Sequence, residues 1–143
     1  MSTFAKFKFP ELLIKEYENW YLLLRFEQPT LGSLILITKN GETQYSEIND
    51  AAFIEFSKIV KEIEPVLKSK FKCSKINYLM LMMQDPEVHY HIIPRYSKDI
   101  LFHDVLFKDF GWPLLPKLDK INVIQSTLEQ KLLEELAFSF KHI

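Results

Sequence analysis

The sequence predicts an α+β fold: a mainly antiparallel sheet with one helix packed on it and a second helix at the C-terminus. Three observations point there. Two strand-like stretches, the apolar 76–83 and 87–96, the latter rich in β-branched and aromatic residues, are separated only by Gln84-Asp85-Pro86. So short a turn joins antiparallel neighbours, because a parallel crossover needs a dozen residues or more. From Asn49 the apolar period lengthens from two to three or four residues, the spacing of a helix face. The C-terminal stretch resumes that helical period after Ser126.

In chain order, residues 12–17 and 20–26 are two short strand-like runs separated by Glu18-Asn19, which reads as a hairpin. Residues 27–32 hold a Pro and a Gly and read as a turn. Residues 33–38, almost without polar side chains, read as a central strand buried on both faces, and Asn40-Gly41 marks the tight turn after it. Phe53, Phe56, Val60, Ile63 and Leu67 form the helical stripe, with Asn49 or Ser46 as its cap. Pro65 is expected to kink the last turn or end the helix, since it has no N–H to return to Lys61. Lys68, Lys70, Lys72 and Lys75 read as a solvated connector, and Met80 to Met83 as packing on a buried strand. Residues 97–120 carry no periodicity and read as an irregular segment packed on the body, Trp112-Pro113 included. Ser126-Thr-Leu-Glu129 has the form of a capping box opening a helix that turns Leu132, Leu133, Leu136 and Phe140 inward.

A chain of 143 residues with 48% hydrophobic content fits one domain, residues 1–143, with a substantial core. The formal net charge of −1 argues against a general nucleic-acid binder. The one cysteine, Cys73, cannot form an internal disulfide and lacks zinc-site spacing, which suits a reducing cytoplasm. Lysines interrupt every apolar run near the start, and the longest such run, 78–83, falls far short of the roughly 20 residues of a membrane helix. A cytoplasmic protein without membrane or nucleic-acid partners is the expectation.

The chemistry concentrates in Glu87-Val-His-Tyr-His-Ile-Ile-Pro-Arg95. On a strand, Glu87, His89 and His91 share one face and Val88, Tyr90 and Ile92 the other, with Pro94 expected to end the pairing. Two histidines so spaced have three explanations. They are a pair without a role, a bidentate metal site with Glu87 adding an oxygen, or a nucleophile and its partner in acid–base catalysis. Spacing does not choose between metal and nucleophile.

That string resembles the histidine triad motif, His-φ-His-φ-His-φ-φ followed by Pro-Arg. The likeness extends upstream to Asn77, to Asp85-Pro86, and to Arg25-Phe-Glu-Gln-Pro-Thr-Leu-Gly32 before Ser33-Leu-Ile-Leu-Ile37. It covers a motif-bearing core of about residues 10–100 and leaves 101–143 as a C-terminal extension. The resemblance is to the bacterial members similar to diadenosine polyphosphate hydrolases. It implies a nucleotide hydrolase or nucleotidyl transferase acting on a phosphoanhydride or phosphoramidate. His89 would be the nucleophile that attacks the α-phosphate, and His91 would bond a phosphate oxygen or donate a proton to the leaving group. It also implies a homodimer and no cofactor or metal.

Two positions depart from the motif. Glu87 stands where the first histidine is expected, and within about 5 Å it would raise the pKa of His89 by around one unit or more. Alternatively it would accept a ring N–H and fix a tautomer. Ser33 stands where many members carry histidine. Asn77, Gln84, Arg25 and Arg95 are the candidate substrate-binding residues. The bland alternatives are an edge-strand bridge for Asn77, an idle turn residue for Gln84, and a surface or interface residue for Arg95. The reading favoured is a tuned enzyme. Its rivals are a nucleotide-binding module with His89 held protonated and a metalloprotein using Glu87, His89 and His91.

Overall fold

The computed structural model describes residues 1–143. A short helix α1 (Thr3–Lys6) precedes three strands, β1 (Leu13–Glu16), β2 (Trp20–Leu24) and β3 (Leu34–Thr38). After β3 comes the long helix α2 (Asp50–Phe71), then β4 (Lys75–Met80) and β5 (His89–Arg95). A small hairpin, β6 (Ile100–Phe102) and β7 (Val105–Phe107), and the helix α3 (Ser126–Lys141) complete the chain. The main sheet has the order β1-β2-β3-β5-β4 with every neighbour antiparallel. The chain leaves β3, crosses one face as α2, returns at the edge as β4, and then inserts β5 between β3 and β4. The histidine-bearing strand is thereby hydrogen-bonded on both sides. No helix is long and apolar enough to cross a membrane.

Alternation along the strands sorts the sheet into two faces. Leu22, Leu24, Leu34, Leu36 and Ile92 lie in the main core, together with Ile59, Ile63, Leu67 and Phe71 of α2 and Leu132, Leu136 and Phe140 of α3. Leu23, Ile35 and Ile37 point the other way and form a second, smaller cluster with Phe7. Every residue of β3 is buried, as its sequence implies for a strand covered on both sides. Hydrogen bonds dock the first hairpin on α2, among them those from Trp20 Nε1 to the Ala52 carbonyl (2.9 Å) and from the Asn19 N–H to the Glu55 carboxylate (2.7 Å).

Several local expectations are corrected. Pro65 neither ends α2 nor blocks it: the helix runs on to Phe71, because Leu67 and Phe71 are buried while Pro65 sits on the exposed side. Lys68 and Lys70 therefore belong to its last turn, not to a connector. Asn49 caps the start, accepting from the Ala52 N–H at 2.8 Å. The buried stripe passes through Ala52 and Ile59, leaving Phe53 exposed. Pairing of β4 stops at Met80, and Met83 is 88% exposed rather than packed. Pro94 does not end β5 but sits within it opposite Ile76, and the pairing extends to Arg95 opposite Lys75. Ser126 is already helical, so the helix is capped by extended Gln125 without a side-chain bond and the capping box does not form. Residues 97–120 contain the β6–β7 hairpin, too short at three residues per strand to leave a periodic trace.

The turn between β2 and β3 is built around buried Gln28. Its amide donates to the carbonyls of Arg25 (2.6 Å) and Ser33 (3.0 Å), and its Oε1 accepts from the Gly32 N–H (2.9 Å). Gly32 has φ +83°, and a Cβ there would stand 2.7 Å from the Phe71 ring. Gly32→Ala combines a left-handed backbone with overpacking, and is expected to cost about 2–4 kcal/mol of stability in urea denaturation. An unchanged midpoint would show that Phe71 and the turn yield freely.

Candidate active site

Residue alternation along β5 places His89, His91, Ile93 and Arg95 on the face opposite α2, with Val88, Tyr90 and Ile92 in the main core. Register carries the same face across the sheet. His91 is opposite Ile35 on one side and Leu79 on the other, and Ile35 is opposite Leu23. Arg25, two residues beyond Leu23, continues that row. The expected sharing of a face by His89 and His91 holds.

The hydrogen bonds fix how the two rings are protonated. His89 Nδ1 lies 2.7 Å from the Glu87 carbonyl oxygen, which can only accept, so Nδ1 carries the proton. In neutral His89 the lone pair is then at Nε2. That atom lies 3.3 Å from His91 Nε2, so His91 donates from Nε2 and its own Nδ1 is left bare. His91 Nδ1 is buried with no partner, as is Arg25 Nε. The pair is enclosed: His89 is 0% and His91 6% exposed.

Burial dominates the electrostatics. It pushes His89 below its ordinary pKa, against smaller upward pulls from the Glu87 carbonyl and from the Asp85 and Glu87 charges. His91 is pushed down to about 3 by burial first, then by His89 and Arg25. The Glu87 charge does pull the pKa of His89 upward, as expected, but desolvation outweighs it, so the net shift is downward and not the expected rise. The Glu87 carboxylate is engaged elsewhere, accepting from the Thr3 N–H (3.3 Å) and from the Thr3 hydroxyl, and these bonds hold its own pKa below the ordinary value. The tautomer of His89 is set by the main-chain carbonyl of residue 87, not by its side chain.

These shifts carry a stability prediction. Both histidines are neutral in the fold, whereas the unfolded chain takes up protons as pH falls below about 6.5, so stability drops on acidification. His91 alone should cost about 2 kcal/mol between pH 7 and pH 5. Urea denaturation at the two pH values measures it, and His91→Asn should remove that share. Equal stability at both values would contradict the enclosure of the ring.

The remaining candidates divide. Arg25 is 8% exposed, with Nη1 donating to the Glu27 carbonyl (2.7 Å), and its charge acts on His91. Arg95 is buried within β5, not a surface residue. Its Nε and Nη2 donate to the two Asp109 oxygens (2.7 and 3.2 Å) and its Nη1 to Asn77 Oδ1 (2.8 Å). Arg95 lies four residues beyond His91, roughly 13 Å along the strand. Asn77 and Arg95 are thus brought to each other rather than to the histidines. Gln84 is exposed in the connection before β5. Trp112 is 37% exposed beside Lys75, Asn77 and Arg95 instead of packed on the core, because Asp109 anchors this segment. Ser33 is buried, its hydroxyl donating to the Thr30 carbonyl at 2.8 Å. No group of three His, Cys, Asp or Glu forms a metal-binding cluster, since Glu87 turns to Thr3.

Sequence reasoning missed the N-terminal segment. The Phe7 ring lies 5.5 Å from His89 and 5.8 Å from His91, centroid to centroid, and Lys6 pairs with Asp85 at 2.7 Å. The one available signal was the alternation Lys6-Phe7-Lys8-Phe9, whose period of two suggests a strand where the chain instead leaves α1 in a turn.

No family model matches the sequence, and no curated protein matches it. Solved structures do. A histidine triad protein from Sinorhizobium meliloti superposes with TM-score 0.71 at 16% identity, over 90% of this chain and 88% of that one. A hypothetical histidine triad nucleotide-binding protein from Sulfolobus tokodaii gives 0.67 at 19% identity, covering 92% and 84%. The diadenosine triphosphate hydrolase of Plasmodium falciparum gives 0.62 at 14% identity, covering 94% and 77%. With its antiparallel sheet, the helix packed on it and the C-terminal helix, the chain has the histidine triad fold.

Proposed function

We propose that the protein is a nucleotide hydrolase or nucleotidyl transferase that acts on a phosphoanhydride or phosphoramidate through a nucleotidyl-His89 intermediate. The observation that carries this reading is the tautomer of His89. Its Nδ1–H is tied to the Glu87 carbonyl, so the ring is neutral with its lone pair at Nε2, held by His91 until a phosphoryl group displaces it; this is the protonation state a nucleophilic imidazole requires. In the first step Nε2 bonds to the α-phosphorus as the bond to the leaving group breaks, and the leaving group takes a proton from solvent, relayed by His91 once that ring is rehydrated and protonated. The ring becomes cationic, and the Glu87 carbonyl stabilises it through the Nδ1–H. Water then attacks phosphorus, giving its proton back to His91 or to solvent, the N–P bond breaks, and Nε2 recovers its lone pair.

His91 donates from Nε2 to a phosphoryl oxygen in this scheme. A ring with its pKa pushed down to about 3 is a poor store of a proton while the site is closed, so protonation of the leaving group awaits rehydration of His91. Arg25 is the buried cation of the same face, suited to phosphate oxygens. Incubation with adenosine 5′-phosphoramidate or a diadenosine polyphosphate, followed by an alkaline quench and peptide mass analysis, tests the reading. A nucleotidyl group on His89 together with turnover is the expected result. Binding with neither would favour the nucleotide-binding module. We also propose a homodimer, supported by the free edge of β4 and by exposed Leu81, Leu114 and Leu115; light scattering that gives a monomer mass would remove it.

A further inference from the structure

Residues 2–9 lie over the histidine pair yet are joined to the sheet in an unusual way. Their backbone hydrogen bonds stay local: Lys6 N–H to Ser2, Phe7 to Thr3, Lys8 to Ala5, Phe9 to Phe4, and Leu12 back to Lys8. No main-chain bond ties the segment to a strand. It is held by side chains instead. Thr3 donates its N–H and hydroxyl to Glu87, and Lys6 donates to Asp85. Phe7, 2% exposed, sits on both imidazoles and against Leu23, Ile35 and Ile37. Phe4 and Phe9 close on Tyr21 at 6.3 and 4.5 Å between ring centroids. Such an element can lift without breaking the sheet ladder, and segments with few structural backbone bonds open at low cost.

The closed arrangement also leaves polar groups unpaired. His91 Nδ1 and Arg25 Nε are buried without partners, on the face that the segment covers. A buried unsatisfied polar atom is costly and recurs where a ligand or water belongs. Entry of a phosphorylated ligand with its water would supply those partners, and His89 Nε2 would exchange His91 for phosphorus.

We infer that residues 2–9 form a detachable strap, latched by Thr3 on Glu87 and Lys6 on Asp85, which shuts His89 and His91 from solvent and must lift to admit substrate. Glu87 thereby acquires a role at the first motif position as the acceptor of the latch. The identity of what enters rests on the function proposed above; the closure does not.

Carbethoxylation of the full-length protein by diethyl pyrocarbonate, followed residue by residue by mass spectrometry, tests the closure without any nucleotide. Exposed His103 and His142 serve as internal references. In the unmodified sequence His89 and His91 should react at least tenfold more slowly than the references. Phe7→Ala and, separately, Lys6→Glu should raise both rates at least fivefold and leave His103 and His142 unchanged. Lys6 is 41% exposed at its side chain, so its variant keeps the test valid if Phe7→Ala fails to fold. Equal rates at all four histidines, or protection that survives both substitutions, would overturn the strap. Turnover of adenosine 5′-phosphoramidate by the same variants should rise in step with the carbethoxylation rate. Release of protection with no turnover in any variant leaves the strap standing and removes the nucleotide reading. Turnover by a chain whose histidines were never protected does the reverse.

Discussion

His89→Ala should reduce nucleotide turnover at least about 10³-fold, a loss of about 4 kcal/mol of transition-state stabilisation. The size follows from the scheme: without Nε2 no covalent intermediate forms, and water must attack an α-phosphate unaided. The nucleotidyl adduct should vanish in the same variant while nucleotide affinity changes little, because Arg25, the cation proposed to meet the phosphate oxygens, is untouched. His91→Ala should cost less, about 10²-fold, with the adduct still detectable, since it removes a donor and not the nucleophile. Comparison of the two by rapid quench separates their roles. Turnover by His89→Ala within tenfold of the parent would exclude the intermediate, whatever the rest of the site does.

Asp109→Ala is expected to be the most damaging substitution for stability, by about 3–5 kcal/mol. The Arg95 side chain is 5% exposed and that of Asp109 1%, and the carboxylate receives two guanidinium bonds as well as the Tyr96 and Gly111 N–H groups. Removal of the acid leaves a buried cation with Asn77 as its remaining partner and frees two main-chain donors. The cause can be tested by adding Arg95→Met. If the uncompensated charge dominates, the double variant should be more stable than Asp109→Ala alone, by 1 kcal/mol or more on the scale of known buried pairs. If the two losses simply add, the damage lies instead in the backbone that Asp109 organises. Guanidinium denaturation of the four proteins completes the cycle.

How much of this was legible in the residues differs by element. The run Leu34 to Thr38 announces a strand covered on both sides, and the alternation of His89 and His91 with Val88, Tyr90 and Ile92 separates the faces correctly. Those signals are local and periodic. The errors arise where one local rule met a stronger tertiary one. Pro65 obeys the rule for lost N–H groups but not its usual consequence, since Leu67 and Phe71 have a core to fill beyond it. Pro94 sits inside the last part of β5 because the bonds on either side of it suffice. The ion pair of Arg95 and the strap over His89 were invisible for a different reason. Asp109 and Thr3 carry no pattern, and the Thr3–Glu87 contact spans 84 positions. The pKa of His89 was misjudged on the same ground. Charge neighbours can be guessed from spacing, but burial by Phe7 cannot.

The carbonyl of residue 87 has a consequence for how this site can vary. A tautomer held by a side chain can be lost in one substitution, whereas one held by the main chain survives any residue that keeps the backbone path. The tautomer of His89 is therefore insulated from the identity of residue 87. Glutamate, histidine or a small neutral residue at 87 would each present the same oxygen to Nδ1. In engineering terms, position 87 is a free dial: access can be adjusted there while the reactive nitrogen of His89 stays set.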